Sequence, residues 1–430
     1  MHYEILRLAK GGTGVSMNDG KIFFVENALP GETGDAEILE EKKHFGRARA
    51  ISRETVSPYR VASDACRLHD CDGCGFRHVC AEQSLALKSE AVFADIARNA
   101  HLDPMAYETY GLTSSLDGQR RRVRLHLDGG ELGFFARGSH RIIAAHACPV
   151  IAEPLRIAIQ KLEKGAKLDD HLRAEIQIDL DDEDRPFAHL KSAQVRNTRY
   201  PSRPENDEKK CLETAMFLWK TGIFAGLRVG DRVMGIPQIR DTIRPQNRVP
   251  TVMYRRIGDF GQATAQANAY LHALVDESIA QCGAQSVADL YCGSGNLTFR
   301  AATVAPHVIG FEFYCDRNAF DIGVQANQGV FVPNAHVSLT QCDLTKGLPK
   351  EAALADFILC DPAREGLSER VAHDLAQCQA RHLLYVSCEA SCLARDLVRL
   401  SPHFKVQRLA FVDMFPQTPH VETVVLLRRF

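Results

Sequence analysis

Over the first 57 residues, apolar and polar positions alternate in short bursts separated by turn residues. The stretch KIFFVENALPGETGDAEILEEKK predicts a strand, a turn at LPGE and a second strand, the pattern of a small β-barrel over 1–57. The period then changes. AEQSLALKSEAVFADIARNA sets Leu85, Leu87, Val92, Ile96 and Ala97 on or near one helical face. This helix, about 82–100, is expected to dock on the last third of the chain. From about 108 to 255 the pattern predicts mostly strands, with a hairpin turn at Asp128-Gly129-Gly130 and a loop over NTRYPSRPENDEKK. From about 260, apolar runs SVADLY, HVIGFE, FILCDP and HLLYVSC alternate with helical stretches, which predicts a parallel, doubly wound α/β sheet. The expected architecture is multidomain, α/β plus β: a barrel (1–57), a central mostly-β unit (58–255) and a Rossmann-like unit (256–430).

Composition adds limits. The 430 residues are 45% hydrophobic and carry a formal net charge of −2. A nucleic-acid partner must therefore meet a local basic patch. Candidates are Lys42, Lys43 and the run HFGRARAISR, and Arg120, Arg121, Arg122 and Arg124 in a strand pattern. Alternation points only about half of those four arginines the same way, and a solvated strand with scattered ion pairs fits them equally. The start has no apolar core of signal-peptide length, and there is no apolar run of membrane-spanning length. A cytoplasmic, reduced protein with no membrane partner is expected, in which 14 cysteines point to metal binding or catalysis.

Two constellations carry chemistry. In VADLYCGSGNLTFRAA an apolar strand meets a turn with Gly293 and Gly295 before a helix. Glu312 ends the next strand, where a carboxylate can take ribose hydroxyls. Asp343 follows a third apolar stretch, where it can accept from an adenine amino group, and Asp361 ends a fourth. Acids at successive strand ends line the crevice of a doubly wound sheet. The second constellation is CRLHDCDGC, with Cys66, Cys71 and Cys74 in a spacing suited to zinc or iron–sulfur. Cys80 is close enough to be a fourth ligand. Separately, Cys388 closes an apolar strand ahead of ASCLARDLVRL, where a helix dipole would favour its thiolate; Cys392, one turn on, reads as packing.

The chain resembles the RNA uracil-5-methyltransferases, in particular their iron–sulfur branch, over nearly its full length. DLYCGSGNLTF is similar to that family's S-adenosylmethionine loop, and DPAREG to its DPPRxG segment. YVSCEASCLARDL is similar to SCNPxTLARDL, and DMFPQTPHVETVVLL to DxFPxTxHVExVxLL. The resemblance implies methylation of C5 of a uridine in RNA, ribosomal RNA of the large subunit before transfer RNA, with no obligate protein partner. It implies Cys388 as nucleophile toward C6, Glu422 as the base that removes the C5 proton, Asp361 facing base or cofactor with Arg364 in support, and Phe260 beside the target base. Gln262, Tyr291, Gly293, Gly295, Asn296, Glu312, Asp343 and Asp361 would bind S-adenosylmethionine. It further implies a TRAM, or OB-like, RNA-binding barrel at the N-terminus. ACPVIAEPL is similar to a CPVL segment holding the fourth cluster ligand, so a [4Fe-4S] cluster would sit on Cys66, Cys71, Cys74 and Cys148, with Cys80 outside it. Two departures stand out: Ala363 replaces a proline, and Glu389-Ala390 replaces Asn-Pro after the nucleophile. Glu389 is expected to raise the thiol pKa. Two other classes fit the same segments: an RNA-binding assembly factor that has lost catalysis, and a zinc-held RNA-binding module.

Overall fold

The computed structural model describes residues 1–61, 66, 68, 70–71, 73–103, 105–111, 117–165, 172–192 and 204–430, which form four sheets. The first has six strands. His2–Glu4 pairs with Thr33–Glu41 at one end of it, and Arg7–Leu8 pairs with Gly14–Asn18 at the other. One short length of chain thus closes the sheet on itself around Tyr3, Ile5, Phe23, Val25 and Ala48.

The central sheet has seven strands. Its hairpin Arg122–Asp128/Glu131–Phe135 turns at Gly129 and Gly130, both with positive φ, as a two-residue hairpin turn requires. The region is mostly strand, as its pattern predicts, and the structure adds two helices that the pattern did not show. Helices Glu153–Gly165 and Pro204–Lys220 cover the sheet. In the first, Leu155, Ile159 and Leu162 fall at helical spacing and are fully buried, a period hidden among strand-like neighbours. The second begins at Pro204, which suits a helix start because its missing N–H has no partner there anyway. The loop expected over 197–210 therefore gives way to helix from 204, and 197–203 lie outside the described residues.

The C-terminal sheet has eight strands, in the order His336–Gln341, His307–Glu312, Ser286–Leu290, Phe357–Cys360, His382–Ser387, Glu422–Arg429, Phe404–Val412 and Glu108–Tyr110. The first five are mutually parallel, and Glu422–Arg429 runs against its neighbours. Strand order reverses at Ser286–Leu290, so a crevice opens beyond the carboxyl ends of that strand and Phe357–Cys360.

Helix Ala81–Ala100 docks on this sheet's layer, as its apolar face predicts: Val92, Ile96 and Ala100 share a core with Leu393 and Leu397. Lys88 on the same helix is buried and donates to Asp413 at 2.6 Å. Burial lowers the lysine's pKa and raises the aspartate's, while each partner opposes the other's shift. Such a pair fixes register more than it stabilises, because its desolvation offsets much of its attraction. Among the described residues no helix is long and apolar enough to cross a membrane.

Candidate active site

Strand Ser286–Leu290 ends in a strained turn. Tyr291 has φ 62°, Gly293 57° and Gly295 92° before helix Asn296–Ala301 begins. Gly295 is required twice over: its φ disfavours any side chain, and a Cβ would sit 2.8 Å from the Phe299 ring. A Cβ on Gly293 would meet nothing, so there the turn faces open space. Glu312 accepts from the backbone N–H groups of Gly293 (3.1 Å), Phe313 (2.7 Å) and Tyr314 (3.1 Å), tying the first two strand ends together. Asp343 caps the turn Leu344–Lys346 by accepting from the N–H and hydroxyl of Thr345. The Asn296 side chain faces away from that open space, exchanging hydrogen bonds with Asn268 at 3.0 and 2.9 Å and meeting His272. It thereby anchors the turn to helix Ala265–Cys282.

Asp289 escapes a reading of the sequence, since an acid inside an apolar strand carries no local signal. It is buried beneath the turn and accepts from the Thr298 hydroxyl at 2.6 Å. Burial pushes its pKa to about 8, with Asp361 and Glu312 adding to the rise.

The second half of the crevice holds Asp361, Cys388 and Glu422 on neighbouring strand ends. Ser387 pairs with Thr423, which sets Cys388 beside Glu422. Burial raises Glu422 to about 8, Asp361 raises it further and Arg364 pulls it down. Asp361 rises to about 7 through burial. The Cys388 thiol is raised to about 11 by burial first and Glu422 next; Arg364 opposes this and Asp361 adds to it. Asp361, Cys388 and Glu422 thus influence one another's ionisation, and a proton can pass among their thiol and carboxyl groups. The predicted influence of Glu389 on the thiol is replaced by a different one. Glu389 caps helix Ala390–Leu400 by accepting from Ser391 N–H, and its carboxylate pairs with Lys10 of the N-terminal barrel at 2.6 Å.

Phe260 lies on a loop over 257–262, its ring 71% exposed although large and apolar. The loop is held by arginines. Arg122 donates to the carbonyls of Asp259 (2.8 Å) and Gly261 (3.1 Å), and Arg228 to that of Ile257 (3.0 Å). Arg122 also stands 5.6 Å from the centre of the Phe260 ring. Gly258 passes so close to the His189 ring that a Cβ would overlap it. Gln262 lines an adjoining cavity of about 230 Å³ with Asn268, Arg255 and Asp241. Of the arginine run proposed to meet phosphate, Arg122 is committed to this loop and Arg121 pairs with Asp184 at 2.7 Å. Arg124 is exposed. A separate contact joins barrel and central sheet, where Arg137 pairs with Glu26, as do Arg47 and Arg49 of the barrel.

The cysteine segment lies on the central sheet. Arg137 N–H donates to the Asp70 carbonyl at 2.8 Å, and Gly73 N–H reaches Cys71 Sγ at 3.4 Å. Cys148 is buried after the short turn Ala145–Ala147. Burial raises its pKa, and Cys74, Cys71 and Cys66 raise it further, so each of these three sulfurs lies within electrostatic reach of Cys148. Cys80 precedes helix Ala81–Ala100. Among the described residues, no three His, Cys, Asp or Glu side chains already stand at metal-ligand spacing.

A family model described as tRNA (uracil-5-)-methyltransferase matches residues 233–430. The 23S rRNA (uracil(1939)-C(5))-methyltransferase RlmD of Shewanella woodyi is 30% identical over 98% of this chain and 94% of its own length. The RlmD of Pseudomonas putida is 30% identical over 98% and 92%. Among solved structures, a Pyrococcus abyssi tRNA (uracil-54, C5)-methyltransferase with bound S-adenosyl-L-homocysteine superposes with a TM-score of 0.70 at 20% identity, over 99% of this chain and all of that one, a likeness of fold.

Proposed function

The chain belongs to the RNA uracil-5-methyltransferase family, and on that premise we propose that it methylates C5 of a uridine in 23S ribosomal RNA. The observation that carries the reading is the strand register that sets Cys388 beside Glu422 at the crevice mouth, next to Asp361. C5 of uracil is a weak nucleophile. Addition of the Cys388 thiolate at C6 moves the C5–C6 electron pair onto the ring, so that C5 becomes carbanion-like and takes a methyl group. Glu422 then removes the C5 proton, and the sulfur leaves as the double bond re-forms. S-adenosylmethionine supplies the electrophilic methyl. Its ribose would meet Glu312, its adenine Asp343, and its remainder the turn at Tyr291–Asn296, with Gln262 and Asp361 flanking it. Phe260 offers an exposed face for the extruded base to stack on.

The barrel over 1–57 takes the part of a TRAM-type RNA-binding module, and Arg47 and Arg49, exposed on its strands beside Glu26, support phosphate contact there. Cys66, Cys71, Cys74 and Cys148 suit a [4Fe-4S] cluster in their chemistry: the donor set is all thiol, gathered around Cys148 and partly buried. It would tie residues 66–74 to the central sheet, and the methyl transfer calls for no redox step.

Ribosomal RNA is preferred because the full-length relatives named above act on it. Incubation with unmodified 23S rRNA, tRNA and labelled S-adenosylmethionine is expected to label the 23S rRNA. Label confined to tRNA would transfer the reading to that substrate. Label in neither, or label that survives Cys388→Ala, would overturn the catalytic reading in favour of an assembly factor.

A further inference from the structure

The turn between strands Arg7–Leu8 and Gly14–Asn18 of the barrel reaches the residues that follow the nucleophile. Ala9 N–H donates to the Thr13 carbonyl and Gly12 N–H to that of Ala9, which closes a tight turn around Lys10. This turn is wedged against the rest of the chain. At Gly12, φ 79°, a Cβ would come within 2.5 Å of the Phe76 ring and 2.9 Å of Pro419. From that position Lys10 Nζ reaches Glu389 Oε1 at 2.6 Å and also donates to the Ser391 hydroxyl. Both acceptors sit at the start of helix Ala390–Leu400, immediately after Cys388. Glu389 is ionised below its ordinary range in spite of partial burial, because Lys10 and the Ser391 N–H hold its charge. Of the charged groups that act on the nucleophile, Glu422 and Asp361 disfavour the thiolate and Arg364 favours it. On the Glu389 side, His420 also feels that carboxylate.

We propose that Lys10 is a positioning residue for the nucleophile. It neutralises the carboxylate this chain carries directly after Cys388 and docks the barrel onto the turn that presents the sulfur. The inference rests on the catalytic reading above. A carboxylate there would otherwise add to the two already opposing thiolate formation, and would leave the helix start untethered. The barrel thereby has a direct mechanical and electrostatic connection to catalysis, besides any part in holding RNA.

The test isolates the bond-forming step. RNA carrying 5-fluorouridine lets the Cys388 sulfur bond to C6 and the methyl transfer to C5, but leaves no C5 proton for Glu422 to remove, so the covalent adduct accumulates and can be counted. Lys10→Met is expected to slow adduct formation roughly threefold or more near neutral pH and to move the pH midpoint of the rate upward, with KM for RNA unchanged. Glu389→Gln alone leaves Lys10 as an unpaired cation and moves the midpoint downward. On the Glu389→Gln background, Lys10→Met loses its slowing effect, and the exchange Lys10→Glu with Glu389→Lys recovers the rate. Equal effects of Lys10→Met on both backgrounds, or an effect on KM alone that disappears with salt, would overturn the proposal and make Lys10 a phosphate contact. A midpoint unmoved in Glu389→Gln overturns it even if Lys10→Met fails to fold. Absence of any adduct in the parent protein would instead sink the catalytic reading.

Discussion

The glycine turn at 291–296 and the cysteines Cys66, Cys71, Cys74 and Cys148 both bring candidate ligand groups together, yet they are held in different ways. The turn is held by the chain itself. Glu312 ties down its backbone, Asp289 and Thr298 brace it from below, and Asn296 is anchored to Asn268 and His272. At the cysteines, Cys66, Cys71 and Cys74 lie within electrostatic reach of Cys148, but among the described residues no three candidate ligands stand together at metal-ligand spacing. A site built from strand ends costs little to preorganise, because the sheet has already fixed the backbone. Thiols that do not yet stand at ligand spacing would draw their final order from what they bind.

That contrast can be broken most sharply at the cysteines. Cys148→Ser is expected to lose the bound iron and brown colour of protein purified without oxygen, whereas Cys80→Ser keeps both. The reverse result would move the fourth ligand to the head of helix Ala81–Ala100. At the glycine turn the effect is smaller and graded. Gly295→Ala meets both an unfavourable φ of 92° and the Phe299 ring. With strain of about 1–3 kcal/mol, calorimetric titration of S-adenosylhomocysteine is expected to show about tenfold weaker binding or worse. Gly293→Ala carries backbone strain without the clash, so it should fall between Gly295→Ala and the parent. Equal losses at the two glycines would mean that the ring contact contributes nothing.

Much of this was legible in the sequence, for a physical reason. Strand ends at Leu290, Glu312, Cys360 and Ser387 coincide with breaks in apolar runs, and local pattern is strong where a buried parallel sheet demands continuous hydrophobic stretches. The dock of helix Ala81–Ala100 could be read from its apolar face. What stayed hidden were partners distant in sequence. Nothing near Glu389 announces Lys10, nothing near Phe260 announces that Arg122 and Arg228 hold its loop, and nothing in VADLY marks Asp289 as the buried brace of the turn. The helices at 153–165 and 204–220 were obscured because their apolar periods are short and border strands.

The preorganised crevice carries a stability cost, and that gives the smallest and finest test. Glu422 has a folded pKa of about 8 against an ordinary 4.5, because burial and Asp361 disfavour its charge. Between those values the folded protein holds a proton that the unfolded chain has released. Stability must therefore fall as pH rises through that window, by at most ~1.4 kcal/mol per pH unit. Glu422→Gln keeps the shape and never ionises, and it also removes the charge that opposes ionisation of Cys388. Its melting temperature is expected to exceed that of the parent by a margin that widens from pH 5 to pH 8 and then levels, while turnover is lost because no base remains to take the C5 proton. A margin constant across that range would mean that the carboxylate is solvated in the free protein. The crevice would then owe its order, like the cysteine segment, to what it binds.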